Sequence, residues 1–261
     1  GGDDPLIFIR GLGSLSQAAS SPLILVDGIE RSFSQLDPNE IESISVLKDA
    51  SATAVFGVRG ANGVIIVTTR RGTTGAPEIS VSSSFGFQKP TRLPQFSDSY
   101  TNAILYNEAL LNDDPLNVPL FSETAVEAFR TNSDPIIYPN TDWLDYILKP
   151  AAFQTRQNVN ISGGTKDVKY FVSLGYLKQD GLFKTFDQDQ RMNNSYKRYN
   201  YRTNLDINAT KTTKISLTTG GRTETVSEPI NTQAEFGSTM WRGIYFAQPW
   251  RGIGIVDGKH I

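Results

Sequence analysis

Few residues in this sequence could carry out bond chemistry. There is no cysteine and a single histidine, His260. That excludes a thiolate nucleophile, a disulfide framework and a thiolate metal site. A multi-histidine metal site is excluded too, and a serine–histidine triad would rest on His260 alone. Carboxylates are plentiful, but no spacing singles out an acid/base pair. Gly11-Leu12-Gly13 lacks the third glycine of a dinucleotide fingerprint. Asp187-Gln188-Asp189 fits part of a calcium loop, a pattern that solvated loops also produce. No cofactor is called for. What stands out instead are charges in apolar surroundings: Arg10, Asp27 and Arg59. Enclosed charges must pair or hydrogen-bond, so these three read as fold or interface contacts ahead of ligand contacts. Towards the other end, Trp241, Tyr245, Phe246 and Trp250 crowd together. They could offer a platform to a sugar ring or a girdle at a membrane interface. Packing of a loop helix is the competing reading, and the burial tendency of aromatics favours it.

The bulk composition narrows the class. The chain has 261 residues and a formal net charge of −2. No basic stripe marks a nucleic-acid binder. No run approaches the roughly 18 apolar residues of a transmembrane helix. Hydrophobic content is 38 %, as expected for strands that alternate lipid-facing and lumen-facing residues. The start, GGDD, has no basic or apolar segment of a secretion signal, so the chain reads as beginning inside a longer one.

Residues 1–72 read as a compact α+β unit. Short apolar runs at 6–10 and 22–26 predict strands, and Asp27-Gly28 a tight turn. Asp37-Pro38-Asn39-Glu40 predicts a helix start, with an acidic cap and proline at the first position. Residues 44–47 return to strand character. Asp49 is expected to cap a helix over 50–56 that Gly57 ends. Residues 60–63 form a turn before a β-branched strand at 64–69. A glycine-rich linker follows at 72–77.

Beyond it the period becomes two. Ile79, Val81, Phe85 and Phe87 alternate with Ser80, Ser82 and Ser84. Val159 and Ile161 alternate with asparagines, and Tyr170, Val172, Leu174 and Tyr176 share a face. In 201–209, Tyr201, Thr203, Leu205, Ile207 and Ala209 alternate with Arg202, Asn204, Asp206 and Asn208. Ile215, Leu217 and Thr219 make a fifth strand. Alternation alone fits a soluble sheet with one wet face equally well. Connection lengths break the tie. The segments at 88–154, 179–200 and beyond 222 are long, whereas those at 163–167 and 210–213 are short. Outer-membrane barrels alternate long extracellular loops with short periplasmic turns. On that reading Leu205→Arg, on the lipid face, should block assembly, and Asn204→Arg, in the lumen, should be tolerated. Within the first long loop, Ser97 or Asp98 is expected to cap a helix to 111, with Tyr100, Ile104, Asn107 and Leu111 on one face. Ser122 should cap a second helix at 123–130, and Asp142–Leu148 is a third candidate.

The runs PLILVDGI (22–29) and LDPNEIESISVLKDASATAVFGVRGANGVIIVTTRRG (36–72), with Ile9-Arg10-Gly11 upstream, resemble the plug of TonB-dependent receptors of the SusC/RagA branch. Residues 138–143, 158–164 and 170–181 resemble early barrel strands of that branch and the segment before them. The resemblance implies an α+β plug domain over 1–72, then antiparallel transmembrane β-barrel strands with a helical extracellular loop over 73–261. It implies a 22-stranded barrel, of which five strands cannot close the wall, so the activity would belong to a longer chain. It further implies residence in a Gram-negative, Bacteroidetes-type outer membrane. Energy would come from the TonB-ExbB-ExbD complex, and a SusD-like surface lipoprotein would act as lid. Cargo would be glycan or peptide, with no bond chemistry. The plug signature and plug–barrel contacts would be Arg10, Gly11, Asp27, Gly28, Lys48, Asp49, Gly57, Arg59, Gly60, Asn62 and Gly63. Leu12, Ser14, Ser16 and Gln17 would face cargo from a plug loop, and Trp241 and Trp250 would give aromatic contacts. A surface adhesin would explain the alternation but not the plug signature. A secreted polysaccharide-acting enzyme has the least support.

Overall fold

A computed structural model describes residues 7, 9, 21–32, 36–49, 54–185, 194–227, 239–256 and 259–260. Arg10, Gly11, Leu12, Ser14, Ser16, Gln17, Asp187 and Asp189 lie outside the described residues. The chain divides into two compact units. The first comprises Gly1–Gly86, Gln154–Gln179 and Ser195–Val226; the second takes the intervening segments and the C-terminal stretch.

The first unit contains two sheets. One is four-stranded, in the order β2-β1-β4-β3, built from β1 (Leu23–Val26), β2 (Ile29–Glu30), β3 (Ile41–Leu47) and β4 (Val64–Thr69). β1 joins β2 through Asp27-Gly28, whose φ values of 50° and 83° are both positive, as a two-residue hairpin turn requires. β1 runs parallel to β4, and β3 antiparallel to it. Val26, Leu36, Ile65 and Val67 form the core, with Ile7, Ile9, Ile24 and Ile41 packed against it. Gly63, at φ 94°, lies beneath Ile9: a Cβ there would stand 2.7 Å from the Ile9 Cδ1. Both the backbone conformation and the contact demand glycine.

Several expected elements differ. Ile7 and Ile9 pack against the core but are not strand, and the rest of the strand expected at 6–10 lies outside the described residues. The helix expected at Asp37 is one 3-10 turn, Pro38–Glu40, although Asp37 caps it as anticipated, accepting from the Asn39 amide. The carbonyl of Glu40, which would continue a helix, accepts instead from the Arg70 amide at 2.8 Å. Ile41, Ile44 and Val46 then favour the extended chain. Residues 54–60 are 3-10 turns broken at Gly57 (φ 59°, ψ −145°), not the end of an α-helix.

The second sheet has five strands in chain order: β5 (Gly75–Gln88), β6 (Ala152–Gly164), β7 (Val168–Asp180), β8 (Ser195–Asn208) and β9 (Lys214–Ser227). All five predicted strands are present, each longer than its alternating stretch. β5 begins inside the expected linker, and β9 extends past Arg222. The long–short alternation of connections holds. Among the described residues no helix is long and apolar enough to cross a membrane; that leaves crossing by strands open.

The second unit holds α1 (Ser99–Asp113), α2 (Glu123–Thr131), α3 (Trp143–Ile147) and α4 (Thr239–Phe246). Asp98, Ser122 and Asp142 cap the first three. On α1 the buried residues are Ser99 and Ala103, while Ile104 and Leu111 are exposed. The expected packing face is therefore rotated, because Ser99 is drawn in by its bond to the Pro139 carbonyl at 2.8 Å. The Asp98 carboxylate accepts from the Thr101 amide at 2.8 Å. Hydrogen bonds from Thr101 hold its pKa below the ordinary value. Asp98→Ala should cost the helix about 1 kcal/mol, read as faster hydrogen exchange at the first-turn amides of α1. A carboxyl with a lowered folded pKa stabilises fully above its ordinary value near 3.8. The same protection should fade as pH falls through the lower folded value.

Candidate functional site

β8 determines the site. Its sequence SYKRYNYRTNLDIN alternates so that Tyr196, Arg198, Asn200, Arg202, Asn204 and Asp206 share one face. All six are buried, while Tyr199 and Tyr201 on the other face are each 54 % exposed. The polar face is thus inside and the apolar face outside. The neighbouring strands agree. Asn158, Asn160 and Ser173 are buried on β6 and β7, while Leu174, Ile215 and Leu217 are exposed. Together these outward side chains form an apolar face of the kind that marks a protein or membrane contact.

Three successive inward residues of β8 hold the four-stranded sheet. Arg202 Nε donates to the Glu40 carboxylate at 2.7 Å, with both side chains only 2 % exposed. Its Nη1 lies 3.9 Å from Asp27. Asn204 Nδ2 donates to the Thr69 hydroxyl at 2.9 Å and to the Arg70 carbonyl at 2.6 Å. Asp206 accepts from Arg71 at 3.3 and 3.4 Å and also takes Ser216. Thr69 links the set: its amide and hydroxyl both donate to Asp27, at 3.0 and 2.7 Å, while the hydroxyl oxygen accepts from Asn204. Beyond Arg71, the backbone of Gly72 lies so close to that of Tyr170 on β7 that a Cβ could not be accommodated.

Burial raises the Glu40 carboxyl above the ordinary glutamate range, against the pull of the Arg202 hydrogen bond and charge. One Glu40 oxygen, Oε1, is buried with no partner among the described residues. The pair is therefore costly to desolvate and costly to break.

Of the residues expected to carry the signature, Asp27 reaches the wall. Gly28 completes its turn, and Gly63 packs beneath Ile9. Lys48 and Asp49 are exposed after β3. Gly57 separates two turns, and Gly60 is buried in the second. Arg59 pairs with Glu30, both partly exposed, and Asn62 donates to the Ser21 carbonyl at 3.4 Å. Trp241 lies 5.3 Å from the Phe183 ring, centroid to centroid, beside Leu144, Leu148 and Ile244. Trp250 meets Phe121 at 5.1 Å and Tyr106 at 5.9 Å, edge to face. Both tryptophans are half-buried packing residues of the second unit. Sequence reasoning passed over Glu40, Thr69, Arg70 and Arg71 as contacts. It placed Asn204 in open lumen, whereas Asn204 is 1 % exposed against the four-stranded sheet. The expected tolerance of Asn204→Arg is withdrawn, since the larger cation has no room there.

A small mixed sheet fastened to the polar face of a strand wall, whose other face is apolar, is the organisation of a plug inside a membrane β-barrel. A family model described as TonB-dependent Receptor Plug Domain matches residues 1–64. TonB-dependent receptor SusC of Bacteroides thetaiotaomicron is 38 % identical over 69 % of this chain and 17 % of its own length. TonB-dependent receptor P3 of Formosa agariphila is 34 % identical over 97 % of this chain and 22 % of its own. Among solved structures, the RagAB peptide transporter superposes with a TM-score of 0.68 at 25 % identity, covering 89 % of this chain and 27 % of that one. The chain is a stretch of a TonB-dependent receptor of the SusC/RagA type. It spans about a fifth of the length of the curated relatives it matches.

Proposed function

We propose that this stretch is the gate of an outer-membrane importer of oligosaccharides, with residues 1–72 as plug and the rest as wall and extracellular loops. The observation that carries the reading is β8: its buried face is polar and tied to the plug, and its free face is apolar. The plug blocks the lumen, and cargo enters when energy from a TonB-ExbB-ExbD complex loosens it. A SusD-like lipoprotein at the cell surface delivers the cargo, and no covalent step is involved. Import of peptides is the second reading, supported by the likeness to the RagAB peptide transporter. The test is uptake by the full-length receptor in its own outer membrane. The probes are a radiolabelled pool of three- to eight-sugar oligosaccharides and a radiolabelled tryptic peptide pool. The expected result is TonB-dependent accumulation of the oligosaccharide pool and a heat-modifiable barrel. Accumulation of peptides alone would select the second reading. A protein without a heat-modifiable barrel or energised uptake of either pool would end the import reading.

A further inference from the structure

The inward face of the wall is balanced in charge where the plug rests on it. There Arg202 meets Glu40, and Asp206 meets Arg71. Towards the long loops, the described plug contacts reach as far as Asp37, whose Oδ2 would lie 3.4 Å from a Cβ on Gly175. The next row of inward residues contains two arginines. Arg156 on β6 is the register partner of Leu177 on β7. That Cβ on Gly175 would also stand 3.5 Å from the Asn200 Cβ, and Tyr176 stacks on Tyr199. The same antiparallel count sets Leu177 opposite Arg198 on β8. Neighbouring strands are about 4.8 Å apart, so the two arginines leave the backbone about 10 Å apart with the buried Leu177 between them.

Neither arginine has a carboxylate in ion-pair contact among the described residues. Arg198 is 8 % exposed and Arg156 half-buried, and the Nε of each is buried with no hydrogen-bond partner. The carboxylates nearby are engaged elsewhere. Glu40 feels the Arg198 charge but takes its hydrogen bond from Arg202. Glu224 on β9 accepts from the Tyr196 hydroxyl at 2.5 Å and pairs with Arg222 at 3.3 Å. Tyr196 is the polar neighbour of Arg198, and a hydroxyl carries no charge to offset a guanidinium. Buried cations without counter-charge are costly, and the planar guanidinium fork matches a carboxylate above other groups. Amides flank the row. Gln154 and Gln179 lie one step towards the long loops, and Asn158 and Asn200 one step towards the plug. The Asn158 Oδ1 is buried without a donor, so sugar hydroxyls would find partners beside the charge. We propose that Arg156 and Arg198 form a carboxylate site next to the plug on its cell-surface side, and that the imported oligosaccharides are acidic, bearing uronate groups. The inference rests on the import reading above.

The test uses the full-length receptor and divides the radiolabelled oligosaccharide pool on an anion exchanger. A third sample is the acidic fraction with its carboxyl groups reduced to alcohols. The acidic fraction should accumulate at least tenfold faster than either the neutral or the reduced one. Arg156→Gln with Arg198→Gln should slow uptake of the acidic fraction by about tenfold or more, the usual weight of a charge-assisted hydrogen bond. A merely loosened plug would change all three fractions alike. If the double variant forms no heat-modifiable barrel, Arg156→Gln alone, at the half-buried partner, gives the same readout. Uptake that survives carboxyl reduction, or is unchanged by the substitutions, would overturn the carboxylate site and leave import standing. Uptake of peptides alone would overturn it in the same way. Absence of uptake of any pool by the unaltered receptor would overturn both.

Discussion

Arg202→Met should unseat the plug at a cost of about 3–5 kcal/mol, the usual penalty for removing one partner of a buried ion pair. Methionine fills much of the volume but leaves Glu40 2 % exposed without its hydrogen-bonded cation, with only the charge of Arg198 still acting on it, and Asp27 loses the charge 3.9 Å away. Removing the charge therefore costs more than the bond it made. The expected readouts in the full-length receptor are faster hydrogen exchange in β3 and β4 at unchanged barrel heat-modifiability, and sensitivity of the cells to vancomycin. Arg202→Met combined with Glu40→Leu should recover most of the loss. Burial already raises the Glu40 carboxyl, so the intact pair is of small net value against an apolar pair of similar volume. Under the proposed import reading, the same arithmetic suits the pair to a gate. It adds little net stability when seated, yet imposes a steep penalty if one side moves without the other. If plug protection in Arg202→Met matched the unaltered receptor, β8 would not be what seats the plug.

Local patterns in the sequence were legible where short-range physics decides them. Ser122, and Asp98 as the alternative to Ser97, were readable as caps because a carboxylate or hydroxyl before a helix meets amides two or three residues on, whereas Asp142 was counted inside its helix and is the cap. Asp27-Gly28 was readable because so few residues accept two positive φ values in a row. The alternation in β8 gave the right two faces, but not what lies against the polar one. Water and a plug make the same demand on a strand, namely polar groups at every second position. Glu40 and Arg202 are far apart in sequence, and either alone looks like an ordinary solvated charge. The short 3-10 turn was missed for a related reason. Asp37-Pro38 begins a helix in any local reading, and only the distant Arg70 amide, by taking the Glu40 carbonyl, stops it. The resemblance supplied the partnership that periodicity could not.

The opposite face yields the second large effect. Leu174 is 56 % exposed and sits midway along β7. Leu174→Arg should lower assembly by the ~2–4 kcal/mol that a cation costs at the bilayer midplane of a barrel. Leu174→Phe, which keeps the face apolar, should assemble normally. Val168 shares the face but begins the strand beside the short turn, and is 38 % exposed. Six residues of strand span about 20 Å, which at the usual tilt carries Val168 from mid-bilayer to the interface. Val168→Arg should therefore cost only ~0–1 kcal/mol. Tyrosines share this outer face: Tyr176 and Tyr199 stack at 4.9 Å, and the Tyr201 ring, midway along β8, covers Gly221 on β9. Folding yield into vesicles as a function of urea measures all three variants. A soluble sheet would tolerate arginine at 168 and 174 alike, so equal yields would show that the outer face does not meet lipid. A steep difference between the two positions is what only a bilayer, with its own depth profile, can impose on a strand whose residues 168 and 174 are otherwise equivalent.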